Sequence, residues 1–191
     1  MGPGGTGKTA LCLEVLRELV LDPNTLGWAD QLVYVTAKTE KLTPRGIEPI
    51  GDPVVSIDSV KNAVVEALFG TDGVAQTDSP ASFDSAAKEM SGRRLLLCID
   101  NLETLIRNHP SDFEDFVQSL PRDWRVLVTS RVTVNGANVL SLGPISRAGA
   151  VKLARDYTSY RGSGRLSEKQ FDQLVEVCDR NPLVRQEAAY S

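Results

Sequence analysis

The feature that most constrains this chain is the glycine-rich segment GPGGTGKT at residues 2–9. Gly2, Gly7, Lys8 and Thr9 fit the pattern G-x-x-x-x-G-K-[ST], in which bare backbone lets successive N–H groups turn toward one anion. A helix that begins at the end of the segment adds the positive end of its dipole at the same point. The segment therefore predicts a phosphate-binding loop, and the alternative is a flexible N-terminal tail.

The side chains and amides of this loop have expected roles. We expect Lys8 to reach the β- and γ-phosphates of ATP or ADP, and the Thr9 hydroxyl to coordinate Mg²⁺, which keeps several waters and takes few protein ligands. Backbone contacts to the nucleotide are assigned to the rest of the loop and to the start of the helix. These residues are Gly2, Pro3, Gly4, Gly5, Thr6, Gly7 and Ala10.

A second magnesium ligand is expected at the end of an apolar strand that lies beside the loop. Asp100 ends the run LLLCID at residues 95–100 and meets this description. Standing alone, an aspartate at the end of a strand is also typical of a turn or a helix cap. Together with the phosphate loop, Asp100 is assigned to the metal, directly or through water.

Two further charged residues are candidates for chemistry at the terminal phosphate. Glu103 could orient or deprotonate an attacking water, and its alternative is a solvated acid in the first turn of a helix. Arg131 follows the strand RVLVTS, at the sheet edge where a guanidinium can contact the γ-phosphate. Its alternative is a surface arginine paired with an acid. Lys38 and Thr39 follow the first strand and could lie at the same edge, but they are interpreted as solvated loop residues.

The order of predicted elements indicates an α/β fold with a three-layer parallel sheet. Strands are predicted at 31–37, 95–100, 125–130 and, as a short addition, 139–142. Helices are predicted at 9–21, 56–69, 84–90, 146–160 and 167–179, with another after a capping box at Ser111 and Glu114 and a last one near Pro182. Alternating strands and helices favour parallel strands, because parallel strands need crossover connections.

The pattern changes to helices alone after Gly143-Pro144, which predicts a domain boundary. We therefore expect an α/β nucleotide-binding domain at 1–143 and the start of a helical subdomain at 144–191. A phosphate loop normally follows a buried strand, yet only Met1 precedes Gly2. We expect that the central first strand is missing, that the native protein continues beyond both ends, and that the 191 residues are unstable alone.

Composition excludes several classes of protein. The net charge is −4 and no basic run is present, so neither a nucleic-acid footprint nor an anionic-membrane footprint is expected. No stretch approaches about 20 apolar residues, as a membrane span requires. Cys12, Cys98 and Cys178 lie among apolar residues, which indicates buried thiols in a reducing, cytoplasmic setting.

The set of segments resembles the signal-transducing ATPases with numerous domains (STAND), a class of P-loop NTPases that includes the NB-ARC and NACHT modules. GPGGTGKT is similar to their Walker A motif, LLLCIDNLE to Walker B, and RVLVTSR to the sensor-one strand. LSLGPIS and the helices after it are similar to the passage into their helical, ARC1-like subdomain. The resemblance covers nearly the whole chain, and AAA+ ATPases share its first three motifs.

The resemblance implies one further site residue and two departures. RNPLVRQEAA resembles the glycine-leucine-proline-leucine motif, whose proline packs near the adenine in the ADP-bound form, and this implies Pro182 as a nucleotide contact. The chain reads Asn181-Pro182-Leu183 at the point where, in that motif, glycine and leucine usually precede the proline. Asn101 stands where NB-ARC modules often have a second aspartate, which implies slow hydrolysis.

Three alternatives are considered for the function of this chain. The first is a regulatory switch, in which bound ATP or ADP favours one of two arrangements that neighbouring domains of the same polypeptide read out. The second is a turnover enzyme such as an AAA+ motor or a P-loop kinase, although no arginine-rich lid segment is evident. A degenerate scaffold is the third. Expected partners are the adenine nucleotide, the neighbouring domains and a nucleotide-dependent homo-oligomer.

Overall fold

The computed structural model describes residues 5–22, 27–43, 46–51, 53–75, 82–107, 110–161 and 166–178. Its helices are α1 (Lys8–Leu21), α2 (Ile57–Ala75), α3 (Phe83–Glu89), α4 (Glu103–Ile106), α5 (Pro110–Ser119), α6 (Arg147–Arg161) and α7 (Glu168–Val177). Its strands are β1 (Gln31–Thr36), β2 (Glu40–Thr43), β3 (Gly46–Pro49), β4 (Leu95–Asp100) and β5 (Trp124–Val128). Both strands and helices thus occur along the first two thirds of the chain, as expected for the predicted α/β fold.

Three of these strands form a parallel sheet in the order β1-β4-β5, and β2 and β3 form a separate antiparallel pair. In the parallel sheet, Thr36 lies opposite Asp100, and Ile99 lies opposite Val128. The carboxyl ends of the three strands therefore meet at one edge. The prediction of a parallel sheet is confirmed, and any polar side chain at a strand end is brought to that shared edge.

The central strand β4 separates two apolar layers. All six of its residues are buried, and successive side chains point to opposite faces. Leu95, Leu97 and Ile99 belong to the larger cluster, which includes residues of α2, α3 and α5, whereas Leu96 and Cys98 pack with residues of α1. Helices therefore lie on both faces, as the continuous apolar run of β4 predicts.

Helix α1 packs against β4 through one apolar stripe. Cys12, Leu16 and Leu19 are buried, at the i, i+4, i+7 spacing that places side chains on one face of a helix. The sulfur atoms of Cys12 and Cys98 are 2.9 Å apart. All three cysteines are buried and free, which confirms the prediction of buried thiols. This packing fixes the start of α1 relative to the end of β4.

The helix predicted at 56–69 is interrupted directly after its predicted end, because Gly70, inside the range of α2 (Ile57–Ala75), has a non-helical backbone with a φ of 74°. Two other local predictions need correction. Ser111 was expected to cap α5, but that helix begins at Pro110, so Ser111 lies inside its first turn. Residues 139–142 form no strand. The exposed side chains of Val139 and Leu140 gain no burial, so apolar composition alone does not make a strand there.

The described residues after 144 form helices, as predicted. Helices α6 and α7 contact each other, and Arg147 of α6 pairs with Asp172 of α7 at 3.1 Å. Ser167 caps α7 in a reciprocal box with Gln170, so this helix begins at Glu168, close to the predicted start at 167. The predicted domain boundary stays a prediction, and Pro182 lies outside the described residues. Within the described ranges, no helix combines the length and apolar character that crossing a membrane requires.

Candidate functional site

The glycine-rich loop enters α1 through left-handed backbone. Gly5 has a φ of 77° and Gly7, immediately before the helix, has a φ of 88°. Glycine adopts this conformation without the strain that a Cβ would bring. A Cβ added to Gly7 would meet nothing within 4 Å, so backbone conformation rather than space requires glycine there. The predicted loop residues Gly2, Pro3 and Gly4 lie outside the described residues.

The first turn of α1 carries neither a side-chain cap nor an acidic residue. Helix α7, by contrast, has the Ser167 cap and Glu168 in its first turn. The first backbone N–H groups of any helix have no acceptor within the helix, and the dipole favours an anion beside them. The start of α1 thus has the electrostatic character of an anion site, with Lys8 as its first residue.

Asp100 is fully buried at the carboxyl end of β4 and is surrounded by hydroxyl groups. Thr9 and Thr129 donate hydrogen bonds to its Oδ1 atom at 2.7 and 2.5 Å. Tyr34 and Thr36 donate to its Oδ2 atom at 3.3 and 3.5 Å. These donors come from α1, from β1 and from the residue that follows β5, so one carboxylate connects all three elements to β4.

These partners decide the charge of Asp100. Burial raises the pKa of its carboxyl group, but the hydrogen bonds from Thr129 and Thr9 and the charge of Lys38 outweigh burial and hold the pKa below its usual range. Burial and the nearby Asp100 charge raise the pKa of Tyr34, so its hydroxyl stays protonated and can donate. Asp100 is therefore ionised at neutral pH, as a metal ligand must be.

The structure corrects the interpretation of Lys38. Its Nζ atom lies 3.3 Å from Asp100 Oδ2 and 3.4 Å from Thr9 Oγ1, and its side chain is 40% exposed. The expectation of a solvated loop residue is therefore wrong for Lys38, whereas Thr39 is exposed as expected. The reason is strand order: β1 is the neighbour of β4, so a long side chain two residues past the end of β1 reaches Asp100.

Lys8 lies within the electrostatic influence of the other candidate site residues. Burial lowers the pKa of its ammonium group, the negative charge of Glu103 raises it, the charge of Arg131 lowers it, and Asp100 raises it again. The charges of Glu103, Arg131 and Asp100 therefore all act on the Lys8 ammonium, and the net result is a pKa below its ordinary value.

Glu103 and Arg131 form an ion pair at the same sheet edge. Arg131 Nε lies 3.0 Å from Glu103 Oε1, and the Arg131 backbone N–H donates to Glu103 Oε2 at 3.2 Å. The Glu103 side chain is 13% exposed and that of Arg131 is 60% exposed. An arginine paired with an acid is the alternative stated for Arg131, and Arg131 has this geometry in the structure. Its role at a phosphate stays a prediction.

Asn101 shapes the turn between Asp100 and Glu103. It has a φ of 66°, a left-handed conformation that asparagine tolerates better than most residues. Its backbone N–H donates to Thr129 Oγ1 at 3.0 Å, and its side chain donates to Thr104 Oγ1 at 2.8 Å. Asn101, noted above as a departure from the NB-ARC pattern, therefore turns the chain sharply so that α4 can begin at Glu103.

The donor set at Thr9 and Asp100 fits Mg²⁺. Both side chains offer oxygen, and the 2.7 Å between their oxygens is near the roughly 2.9 Å expected for neighbouring ligands of an octahedral magnesium. No group of three or more His, Cys, Asp or Glu side chains that could hold a metal exists among the described residues. A magnesium at this pair would depend on waters and on the nucleotide for its remaining ligands.

Sequence reasoning missed Thr129 and Tyr34 as members of the site, and it considered Lys38 there only as an alternative. Thr129 had a visible signal, because it is a polar residue at the end of the apolar run RVLVTS. Tyr34 had no local signal, since its proximity to Asp100 depends on β1 lying beside β4. The shared feature of the missed residues is that their contacts with Asp100 cross between strands.

Comparisons with known proteins give a distant structural likeness. No protein-family model matches the chain, and no curated protein matches it in sequence. Among solved structures, it is similar to a STAND protein with a tetratricopeptide-repeat sensor from Pyrococcus horikoshii, with 15% sequence identity and a TM-score of 0.43. The match covers 96% of this chain and 26% of that chain, so this chain spans about a quarter of that structure's length.

Proposed function

We propose that this chain is an ATP- or ADP-binding module with Mg²⁺ that acts as a regulatory switch in a larger STAND-type protein. The observation that carries the proposal is the 2.7 Å contact between Thr9 and the buried carboxylate of Asp100, at the start of the uncapped helix α1. It joins two residues 91 positions apart that have the oxygen chemistry of a magnesium site.

Each residue of the site has its own role in nucleotide binding. The backbone N–H groups from Gly5 to Ala10 surround the phosphates, with Gly2, Pro3 and Gly4 as further loop contacts. Lys8 adds the positive charge of its ammonium. Thr9 and Asp100 would hold the magnesium, whose charge would offset that of the phosphates. Pro182 contacts the adenine in the ADP-bound form.

Hydrolysis in this proposal requires that Glu103 be released from its pair with Arg131. While the Glu103 carboxylate accepts hydrogen bonds from Arg131, it is not available to deprotonate a water. A terminal phosphate competes with Glu103 for the exposed guanidinium, since both are anions that arginine binds through paired donors. Transfer of Arg131 to the phosphate frees Glu103, which then orients or deprotonates the attacking water.

Calorimetry with ADP and ATP in magnesium buffer tests the binding proposal. We expect the Lys8→Ala variant to lose about 100-fold or more in affinity, because a charge-assisted contact to phosphate is worth roughly 3 kcal/mol. Lys88→Ala is the matched control, because Lys88 is exposed in the last turn of α3. No binding by the unmodified protein, or equal affinities of the Lys8→Ala variant and the unmodified protein, would overturn the proposal.

Turnover separates the switch from a motor. We expect ADP to copurify with the protein and hydrolysis to be slow, with a further loss of about 100-fold or more for Glu103→Gln if the carboxylate acts as the base. Rapid, sustained hydrolysis together with ring-shaped oligomers on addition of ATP would instead favour an AAA+ type motor. The released nucleotide and the mass of the complex are measured on the same samples by chromatography and light scattering.

A further inference from the structure

The ammonium of Lys38 lies against the two side chains proposed to hold magnesium. Its Nζ atom is 3.3 Å from Asp100 Oδ2 and 3.4 Å from Thr9 Oγ1. The Thr9 and Asp100 oxygens are themselves 2.7 Å apart. A protein cation therefore occupies the neighbourhood that a metal cation would take.

The two members of this ion pair differ in their freedom to move. The Asp100 side chain is 0% exposed, and four hydroxyl groups hold it in place. The Lys38 side chain is 40% exposed, so its ammonium can turn into solvent about its flexible stem. When a second cation arrives, Lys38 is the partner that leaves.

The backbone fixes where the lysine stem starts. The Lys38 N–H donates to Thr36 Oγ1 at 3.4 Å, and the N–H of the fully buried Ala37 donates to the Asp100 carbonyl at 2.9 Å. These bonds continue the β1–β4 pairing past the end of β1. The stem of Lys38 thus begins close to Asp100 whatever its ammonium does, so the lysine can return when the metal leaves.

We propose that Lys38 is a tethered cation that neutralises Asp100 in the metal-free protein and competes with Mg²⁺ for the Thr9–Asp100 pair. This inference rests on the proposed function. A buried carboxylate without a cation is costly and would repel the phosphates of a nucleotide that binds without metal. Lys38 removes that repulsion, and its displacement weakens the binding of the metal. As a consequence, the affinity for adenine nucleotide depends less on magnesium in this protein than it would in a variant without the Lys38 charge.

The test compares ADP affinity in magnesium and in EDTA for the unmodified protein, Lys38→Met and Lys38→Arg. Methionine keeps much of the stem and removes the charge. We expect the ratio of the EDTA to the magnesium dissociation constant to rise about tenfold in Lys38→Met, or ~1.4 kcal/mol. Lys38→Arg keeps the ratio of the unmodified protein, because it keeps a cation. Lys88→Met, on the exposed part of α3, is the control for charge alone.

Two further measurements isolate the cation site. Binding of Mn²⁺ to the nucleotide-free protein, followed by electron paramagnetic resonance, is expected to tighten about tenfold in Lys38→Met, because no ammonium has to be displaced. In an Asp100→Asn background, Lys38→Met is expected to leave the EDTA-to-magnesium ratio unchanged, since the charge that Lys38 balances is absent. This double-variant comparison identifies Asp100 as the group through which Lys38 acts.

The outcomes separate this inference from the proposed function. If the unmodified protein binds ADP and Lys38→Met weakens binding equally with and without magnesium, Lys38 is an ordinary phosphate contact and the inference is overturned. An unchanged ratio and unchanged Mn²⁺ affinity overturn it as well. Failure of the unmodified protein to bind ADP in either buffer overturns the proposed function instead. Each ratio compares one variant with itself, so a general loss of stability does not imitate the expected result.

Discussion

The two carboxylates at the carboxyl edge of the sheet, those of Asp100 and Glu103, differ in the contacts that hold them in place. Asp100 is fully buried and accepts hydrogen bonds from Thr9 and Thr129, with further partners on β1. Glu103, three residues later, is 13% exposed and pairs with Arg131, whose side chain is 60% exposed. Asp100 has partners on several secondary-structure elements, whereas the contacts described for Glu103 come from one residue, Arg131, through its guanidinium and its backbone N–H.

This difference indicates that Asp100 and the Glu103–Arg131 pair have different roles in the site. The partners of Asp100 are fixed by strand order and by the packing of α1 on β4, so its position survives small movements of any single side chain. The pair of Glu103 and Arg131 can separate at little free-energy cost, because water solvates the arginine readily. The buried cluster is suited to hold a ligand in place, and the exposed pair is suited to respond to one.

Removing the Asp100 carboxylate should have the largest effect on stability. We expect Asp100→Ala to lower the free energy of unfolding by about 3 kcal/mol, because it leaves buried hydroxyl donors without an acceptor. Asp30→Ala is the matched control, since Asp30 also pairs with a cationic side chain, that of Arg94, but is 44% exposed and directly precedes β1, at the opposite end of that strand. Urea unfolding measures both. Equal losses would show that burial does not distinguish the two aspartates.

An intermediate effect is expected when a single hydroxyl is removed from the buried cluster. Thr129→Val should lower the free energy of unfolding by about 1–2 kcal/mol at neutral pH. It should also raise the pKa of Asp100, because Thr129 is the strongest hydrogen-bond donor to that carboxylate. We compare Thr129→Val with Thr36→Val, whose hydroxyl lies farther from Asp100, at 3.5 Å.

The pH dependence of the same variant supplies a second measurement. The pKa of Asp100 is lower in the folded protein than its ordinary value, near 3.9 when unfolded. Its contribution to stability is therefore complete above about pH 4 and is lost as the pH falls through the lower, folded value. Urea titrations from pH 7 to pH 3 should show a shallower acid loss for Thr129→Val. An identical acid slope would show that the hydroxyl does not set the carboxyl pKa.

The smallest effect is expected at the exposed pair. Arg131→Ala should change the free energy of unfolding by less than about 1 kcal/mol, because its guanidinium is largely solvated. Arg147→Ala is a suitable control, since Arg147 is equally exposed, at 60%, and pairs with Asp172 between α6 and α7. A loss for Arg131→Ala as large as that for Thr129→Val would contradict the contrast between the two clusters.

Features that depend on local pattern could be predicted from the sequence. The apolar run at 95–100 forms the buried central strand, as predicted. The helix predicted at 9–21 runs from Lys8 to Leu21. Both could be predicted because the pattern of apolar residues and the conformation of glycine act over a few residues. The closeness of Thr9 and Asp100 was also expected, since the two motifs were interpreted as one magnesium site. The structure places their oxygens in direct hydrogen-bond contact.

Features that depend on which elements are neighbours could not be predicted in this way. Lys38 reaches Asp100 because β1 pairs with β4, and no residue around Lys38 encodes that pairing. The segment at 139–142 was wrongly predicted as a strand, because its apolar residues resemble one although no strand pairs with them in the described part of the chain. In both cases the deciding interactions are distant in sequence.

The single carboxylate of Asp100 links the first turn of α1, the end of β1 and the residue after β5. The Asp100 carboxylate is therefore a noncovalent cross-link between these three segments. None of them can move away on its own without exposing the negative charge of Asp100. The amide protons near these three points should therefore exchange with solvent deuterium through a common opening event rather than one segment at a time. A ligand that engages Thr9 would slow exchange on strands that it does not touch.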